Sequence, residues 1–247
     1  MEIKEYGAGF LSLKQFVLSG WSDIEELFAF REAFLRENPG QQMLFILDNA
    51  DQAGYTSGHA GDLHGLTPYG DVLDLTAEQM AVWEQDYVAP PEVFSRYVVN
   101  QILAKLDERL EIANPIHLES SDRDFFDCLK DENQIFASPI FAATVFADET
   151  SMGIAAHPNV YFSDDLSPMQ NYLLAELLRV EFGLELFGLG SFLAGYLRSD
   201  PFTGDDAERL IARVRGLLYE MTDAAATKWV EATVGQRWFV LSYSGSS

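Results

Sequence analysis

Met43-Leu44-Phe45-Ile46-Leu47 is an unbroken apolar run, bounded by Pro39-Gly40 upstream and by Asp48-Asn49 downstream. Short and without a polar face, it reads as a buried strand. The segment before it opens on Ser22-Asp23-Ile24-Glu25, a capping box, and carries Ile24, Leu27, Phe28, Phe34 and Leu35 at helical spacing. It stops at Asn38-Pro39-Gly40, which predicts an amphipathic helix ending near Arg36. Helix then strand is the opening unit of the chain.

The same logic places the other elements. Thr76-Ala77-Glu78-Gln79 caps a short helix that ends before Pro90-Pro91, and a longer helix runs from Pro91 to Ile112 with Val93, Tyr97, Val98, Ile102, Leu106 and Leu110 on its apolar side. Ser167-Pro168-Met169-Gln170 opens a helix to Phe182, where Gly183 supplies a left-handed cap. Asp122 to Leu129 reads as a short helix, and Asp205-Asp206 open one through Leu218 that continues or restarts toward Trp229. Ile140–Phe146, Val160–Phe162 and Arg237–Tyr243 read as strands, with a loop over Asp148 to Pro158 and a frayed tail at Ser244–Ser247. From Asp48 to Tyr69 the chain is rich in Gly, Asp and His without apolar periodicity, which predicts a long loop. Phe187–Tyr196 is apolar with three glycines, and Gly188-Leu189-Gly190 is assigned to chain flexibility. No repeat or low-complexity linker breaks the chain. The expected fold is a single α+β domain, a mixed sheet with packed helices, with an α/β layer over about 1–90 and a core over about 91–243.

The 247 residues are long for one domain and short for two, and 48% hydrophobic residues are ample for a packed interior. The longest apolar stretch, Ile135 to Ala147, is interrupted well below the roughly 20 residues that span a bilayer. No membrane association is expected. Glu2 and Glu5 stand where a secretory leader carries bases, and the lone cysteine, Cys128, has no partner for an internal disulfide, which together suit the cytoplasm. Thirty-nine acids against sixteen bases give a formal charge of −23, a field that repels nucleic-acid phosphate and anionic lipid. The acids lie in small scattered groups, such as Asp23, Glu25 and Glu26, Asp164 and Asp165, or Asp205 and Asp206. They provide solubility, and they suit a protein partner with a basic surface, as in toxin-neutralising proteins and DNA mimics.

Three groups of residues carry potential chemistry. His59, Asp62 and His64 in the expected loop have the donor types for zinc or another divalent ion, although five-residue spacing matches no standard ligand pattern. His117 and His157 read as turn or surface residues, and Cys128 as a small buried hydrophobe. Glu176 and Glu181 are five apart on one helix, roughly 140° around it, and do not converge on a substrate. No nucleophile elbow, phosphate loop, dinucleotide fingerprint or His-Glu-x-x-His motif is present.

Asn159-Val160-Tyr161-Phe162, followed by the helix Leu174-Ala175-Glu176-Leu177-Leu178-Arg179-Val180-Glu181-Phe182-Gly183-Leu184, resembles the strand and active-site helix of zincin-like metallopeptidases. It looks most like a degenerate bacterial domain that keeps the layout without the zinc-binding histidines. The resemblance covers roughly Pro91 to Met221, with Arg209 to Tyr219 as a further helix. It implies a pseudoenzyme without a cofactor: where an active zincin has its two histidines this chain has Ala175 and Arg179, and only Glu176 matches the pattern. The expected function is binding of a basic protein, as an immunity- or inhibitor-type protein does. The alternatives are a metal-dependent hydrolase built on His59, Asp62 and His64, and a structural subunit.

Overall fold

Residues 1–6, 14–67, 73–86, 90–106, 115–119, 122–129, 131–159 and 166–243 are described by a computed structural model, without the side chains of residues 6, 86, 123, 124, 128, 132, 137 and 138. The expected strand at Val160–Phe162, the end of the expected helix beyond residue 106, the tail Ser244–Ser247 and the Cys128 thiol lie outside this description. The elements in chain order are β1 (Glu2–Tyr6), β2 (Gln15–Ser19), α1 (Ile24–Glu37), β3 (Gln41–Leu47), α2 (Ala50–Leu63), α3 (Ala77–Asp86) and α4 (Pro91–Ala104). There follow β4 (Ile116–Leu118), α5 (Arg123–Cys128), α6 (Glu132–Ile135), β5 (Phe136–Phe146), a 3-10 helix (Thr150–Ala156) and α7 (Pro168–Phe182). The chain closes with β6 (Glu185–Leu189), β7 (Leu193–Leu197), α8 (Gly204–Arg215), β8 (Tyr219–Met221), α9 (Asp223–Thr233) and β9 (Trp238–Ser242). No helix among the described residues is long and apolar enough to cross a membrane.

The result is an α+β fold. Seven strands form one mixed sheet in the order β1-β2-β5-β3-β6-β7-β9, and β4 and β8 form a separate parallel pair. All neighbours in the large sheet are antiparallel except β3 and β6. The apolar run predicted as a strand is therefore central, and Met43 to Leu47 are all buried. The sheet takes strands from both the expected 1–90 layer and the remainder of the chain, and a continuous cluster of buried side chains joins them. Phe45 and Phe136 meet Phe187 at 6.5 and 6.3 Å between ring centroids, and Phe28 of α1 packs edge-on against Phe187 at 5.0 Å.

The β3–β6 seam is short, with Phe45 opposite Gly188 and Ile46 opposite Leu189. A charged side chain stands at each end of it, one buried and one half-buried. Arg31 of α1, only 1% exposed, donates from Nε to the Met43 carbonyl at 3.2 Å and from Nη2 to the Leu186 carbonyl at 3.1 Å. One side chain thus holds a helix to both strands. At the other end Asp48 accepts from the backbone N–H of Ser191 (2.8 Å), Phe192 (3.2 Å) and Leu193 (3.2 Å) and from the Ser191 hydroxyl (2.6 Å), so it clasps the β6–β7 turn. This geometry explains the glycines. A Cβ on Gly190 would fall on the Asp48 carboxylate, one on Gly188 would lie 2.6 Å from Leu47 Cδ2, and one on Gly195 would lie 2.5 Å from the Phe187 ring. Gly188-Leu189-Gly190 serves close packing, not the chain flexibility expected of it.

Other expectations are corrected. Residues 50–63 are not a loop but helix α2, capped by Asn49, whose side chain accepts from the Gln52 N–H at 3.0 Å. Its buried face is Ala53, Thr56, Ser57, Ala60 and Gly61, a helical stripe made of small residues, so a search for apolar periodicity passes over it. The loop expected at Asp148 to Pro158 contains the 3-10 helix, whose residues 151–156 are buried. The helix from Pro91 ends at Ala104, because Lys105 leaves helical geometry and donates to the His64 carbonyl. The capping box of α1 is shifted by one: Asp23 caps the Glu26 N–H at 3.0 Å, and Glu26 accepts from the Ser22 N–H at 2.9 Å. A carboxylate outcompetes the Ser22 hydroxyl as the acceptor. The helix of α7 is as expected, with its Ser167 capping box and left-handed Gly183.

Arg31→Ala would strand two buried carbonyls and a cavity, and is expected to cost at least about 3 kcal/mol in urea titration. Arg213→Ala breaks the half-exposed Glu181 bridge and is expected to cost at most about 1 kcal/mol; similar losses would discount the seam. In α2, Gly54 and Gly58 face open space, so changing each to Ala is expected to add about 0.5–1 kcal/mol. Gly61→Ala would meet Thr67 Oγ1 at 2.5 Å and should destabilise. A loop at 50–63 would show no gain at either open site.

Candidate functional site

Helix α2 decides the fate of the histidine cluster. His59 and Asp62 are exposed on its outer side, while His64 is the C-cap and five residues from His59, roughly 140° around the axis. Tyr55 packs edge-on to the His59 ring at 4.6 Å, which makes His59 part of a helix-surface stack. Among the described residues no three His, Cys, Asp or Glu side chains converge as a metal would need. The expected ligand set is thus spread by the helix that the loop turned out to be.

The three residues singled out on α7 have separate fates. Ala175 is fully buried in the core. Glu176 and Arg179 form a two-pronged ion pair, with Nε to Oε1 at 3.0 Å and Nη2 to Oε2 at 2.7 Å. The buried Ser151 hydroxyl also donates to Glu176, and one turn earlier Tyr172 donates to Glu149 at 3.1 Å. Arg179 holds the Glu176 carboxyl below its usual range, whereas burial and then Glu149 push the Tyr172 phenol up to about 12. Glu176 therefore stays ionised and bound, too weak a base to activate Ser151. The cluster ties α7 to the 3-10 helix.

Two further titratable groups lie near the end of the seam. Asp48 is the non-glycine residue with positive φ, +48°, among the described residues, a strain often found at functional sites. Burial raises its carboxyl above the ordinary range, against the pull of the Ser191 hydroxyl and several backbone amides. Counting the Asn49 N–H at 2.6 Å, five donors occupy this carboxylate, which leaves it a clamp. His157 is not the surface residue expected: its Nε2 is sealed in the interior without a hydrogen-bond partner, and the other ring nitrogen bonds the Ala53 carbonyl. Desolvation lowers its pKa to about 4.

A groove is built elsewhere, by α8, β8 and α9. Thr203 and Thr222 cap the two helices by accepting from the Asp206 and Ala225 N–H groups, both at 3.2 Å. Trp229 anchors α9, fully buried, stacked on Phe239 at 5.3 Å and edge-on to Tyr219 at 5.2 Å. The faces turned away from these anchors border a groove of about 970 Å³. From α8 it receives Glu208, Ile211, Ala212 and Arg215, and from α9 Asp223, Ala226, Val230 and Glu231, the helical spacing in each case. Ile211, Ala212, Ala226 and Val230 make an apolar floor. Glu208, Glu220, Asp223 and Glu231 are exposed carboxylates on the rim. Arg215 is committed to Asp223 and to the Met221 carbonyl, both at 2.8 Å, and His117 of β4 stands 3.4 Å from Glu220. Glu208 and Glu231 have no ion-pair partner among the described residues. The expected restart of the helix toward Trp229 hints at this hairpin in the sequence, but its pairing into a groove has no local signal.

No family model, curated protein or solved structure matches the chain. The groove thus stands on its own chemistry.

The sealed imidazole has a measurable consequence. His157 takes a proton near pH 6.5 when unfolded but only near 4 when folded, so its contribution is intact above 6.5 and lost as pH falls toward 4. His157→Gln should flatten the fall in unfolding free energy across that window by about 2–3 kcal/mol, followed by urea titration at each pH. Parallel curves would place the ring in solvent.

Proposed function

We propose that the protein is a non-catalytic, acidic binding protein that engages a basic protein partner, in the manner of an immunity or inhibitor protein. The groove between α8 and α9 carries this reading: an apolar floor provides the area that stabilises association, and the surrounding carboxylates attract and orient a cationic surface. The formal charge of −23 adds a long-range field of the same sign. A zincin-like layout stripped of zinc chemistry belongs to the same proposal, with Ala175 in the core and Arg179 spent on Glu176. The chain is then a pseudoenzyme in shape and a binder in action.

The immobilised protein is exposed to an extract of its own cells and washed in about 0.05 M and about 0.5 M salt, which shortens the Debye length severalfold. A partner held at low salt, shed at high salt and lost on the combined change Glu208→Gln, Glu220→Gln, Glu231→Gln is the expected result. A partner kept equally in both washes, or kept by the triple variant, defeats the proposal. So does peptide cleavage by the purified protein, or stoichiometric zinc that disappears on changing His59 and His64 to Ala.

A further inference from the structure

We infer that the occupant of the α8–α9 groove is an amphipathic helix of two to three turns with lysine or arginine flanking its apolar stripe; this rests on the basic-partner reading above. A flexible polybasic tail would need only the carboxylates, but the groove offers more. Its walls are two helix faces, and its inner line is made of small side chains, Ala212, Gly216 and Ala226. Small residues let a third helix approach to within about 8–10 Å of its neighbours, as helix packing requires. Ala212 and Gly216 are exposed and Ala226 half-exposed, so this line is open to a partner. The span from Glu208 to Arg215, or from Asp223 to Glu231, is about 10–12 Å of helix axis, which sets the length of the occupant.

The charges also give the occupant a direction. Arg215 at the end of α8 reaches Asp223 at the start of α9, so that end of the groove is internally neutralised. Glu208, seven residues before Arg215 on α8, and Glu231, eight after Asp223 on α9, hold the opposite end negative. The helix that fits carries apolar residues at i, i+3, i+4 and i+7 and has its strongest positive charge beside Glu208 and Glu231. A second copy of this chain is a poor occupant because each copy carries −23.

Two labelled synthetic peptides of identical leucine and lysine content separate the possibilities, one patterned as an amphipathic helix and one scrambled to remove the stripe. Fluorescence anisotropy in low salt should show the patterned peptide binding at least tenfold more tightly. Ala212→Leu with Ala226→Leu, which fills the floor at accessible positions, should weaken that peptide tenfold or more, as should Glu208→Gln with Glu231→Gln. Glu78→Gln with Glu84→Gln, exposed acids on α3, should change affinity less than twofold. Equal binding of both peptides, sensitive to the groove carboxylates, would overturn the helical occupant and leave the basic-partner reading standing. Failure of both peptides, or insensitivity to every groove substitution, would remove both. A dimer abolished by Ala212→Leu would overturn the inference in favour of a second copy.

Discussion

A buried guanidinium and a half-buried carboxylate, at opposite ends of the β3–β6 seam, hold the two parts of the large sheet together. On one side of the seam lie β1, β2, β5 and β3, and on the other β6, β7 and β9. Parallel pairing that extends over so few residues gives little stability by itself. Arg31 adds hydrogen bonds to a carbonyl on each strand, and Asp48 gathers the amides of the turn beyond. Each ion must recover the cost of leaving water through these bonds, and together they define one register. The apolar contacts of Phe28, Phe45 and Phe187 are compatible with several packings, whereas directional bonds select one.

The α8–α9 groove lies away from that seam. The β6–β7 hairpin hands the chain to α8, and the α8–β8–α9 unit is secured from beneath by Trp229 against Phe239, Tyr219 and Phe125. With this aromatic anchor carrying the packing, the outward faces of both helices are released from structural duty. They can hold unmatched carboxylates beside apolar side chains, a combination disfavoured inside a core and suited to a contact surface. The cluster on α7 shows the contrary economy: Glu176 and Arg179 satisfy one another and hold Ser151.

What could be read from the residues depended on whether the signal was local. The capping residues Thr76 and Ser167, the apolar run at 43–47 and the left-handed Gly183 work within a few residues, and these elements stand where expected. Helix α2 was hidden because its buried face is small and polar, so its packing arises from close approach and not from bulky side chains. Gly188 and Gly190 were misread for the same reason: their meaning lies in Leu47 and Asp48, distant in the chain. The acidic composition suggested a basic partner, but only tertiary structure brings Glu208 and Glu231 to the border of one groove. His157 looked superficial beside Pro158, yet the packing of α2 seals it.

The outer strands of the large sheet constrain how copies of the protein meet. At one margin β1 carries the charged Glu2, Lys4 and Glu5 and is exposed over residues 2–5, while at the other Trp238 to Leu241 of β9 are buried. A strand approaching β1 must line up against charged neighbours, a natural guard against edge-to-edge growth. Ribbon-like stacking of sheets through this edge is thereby discouraged.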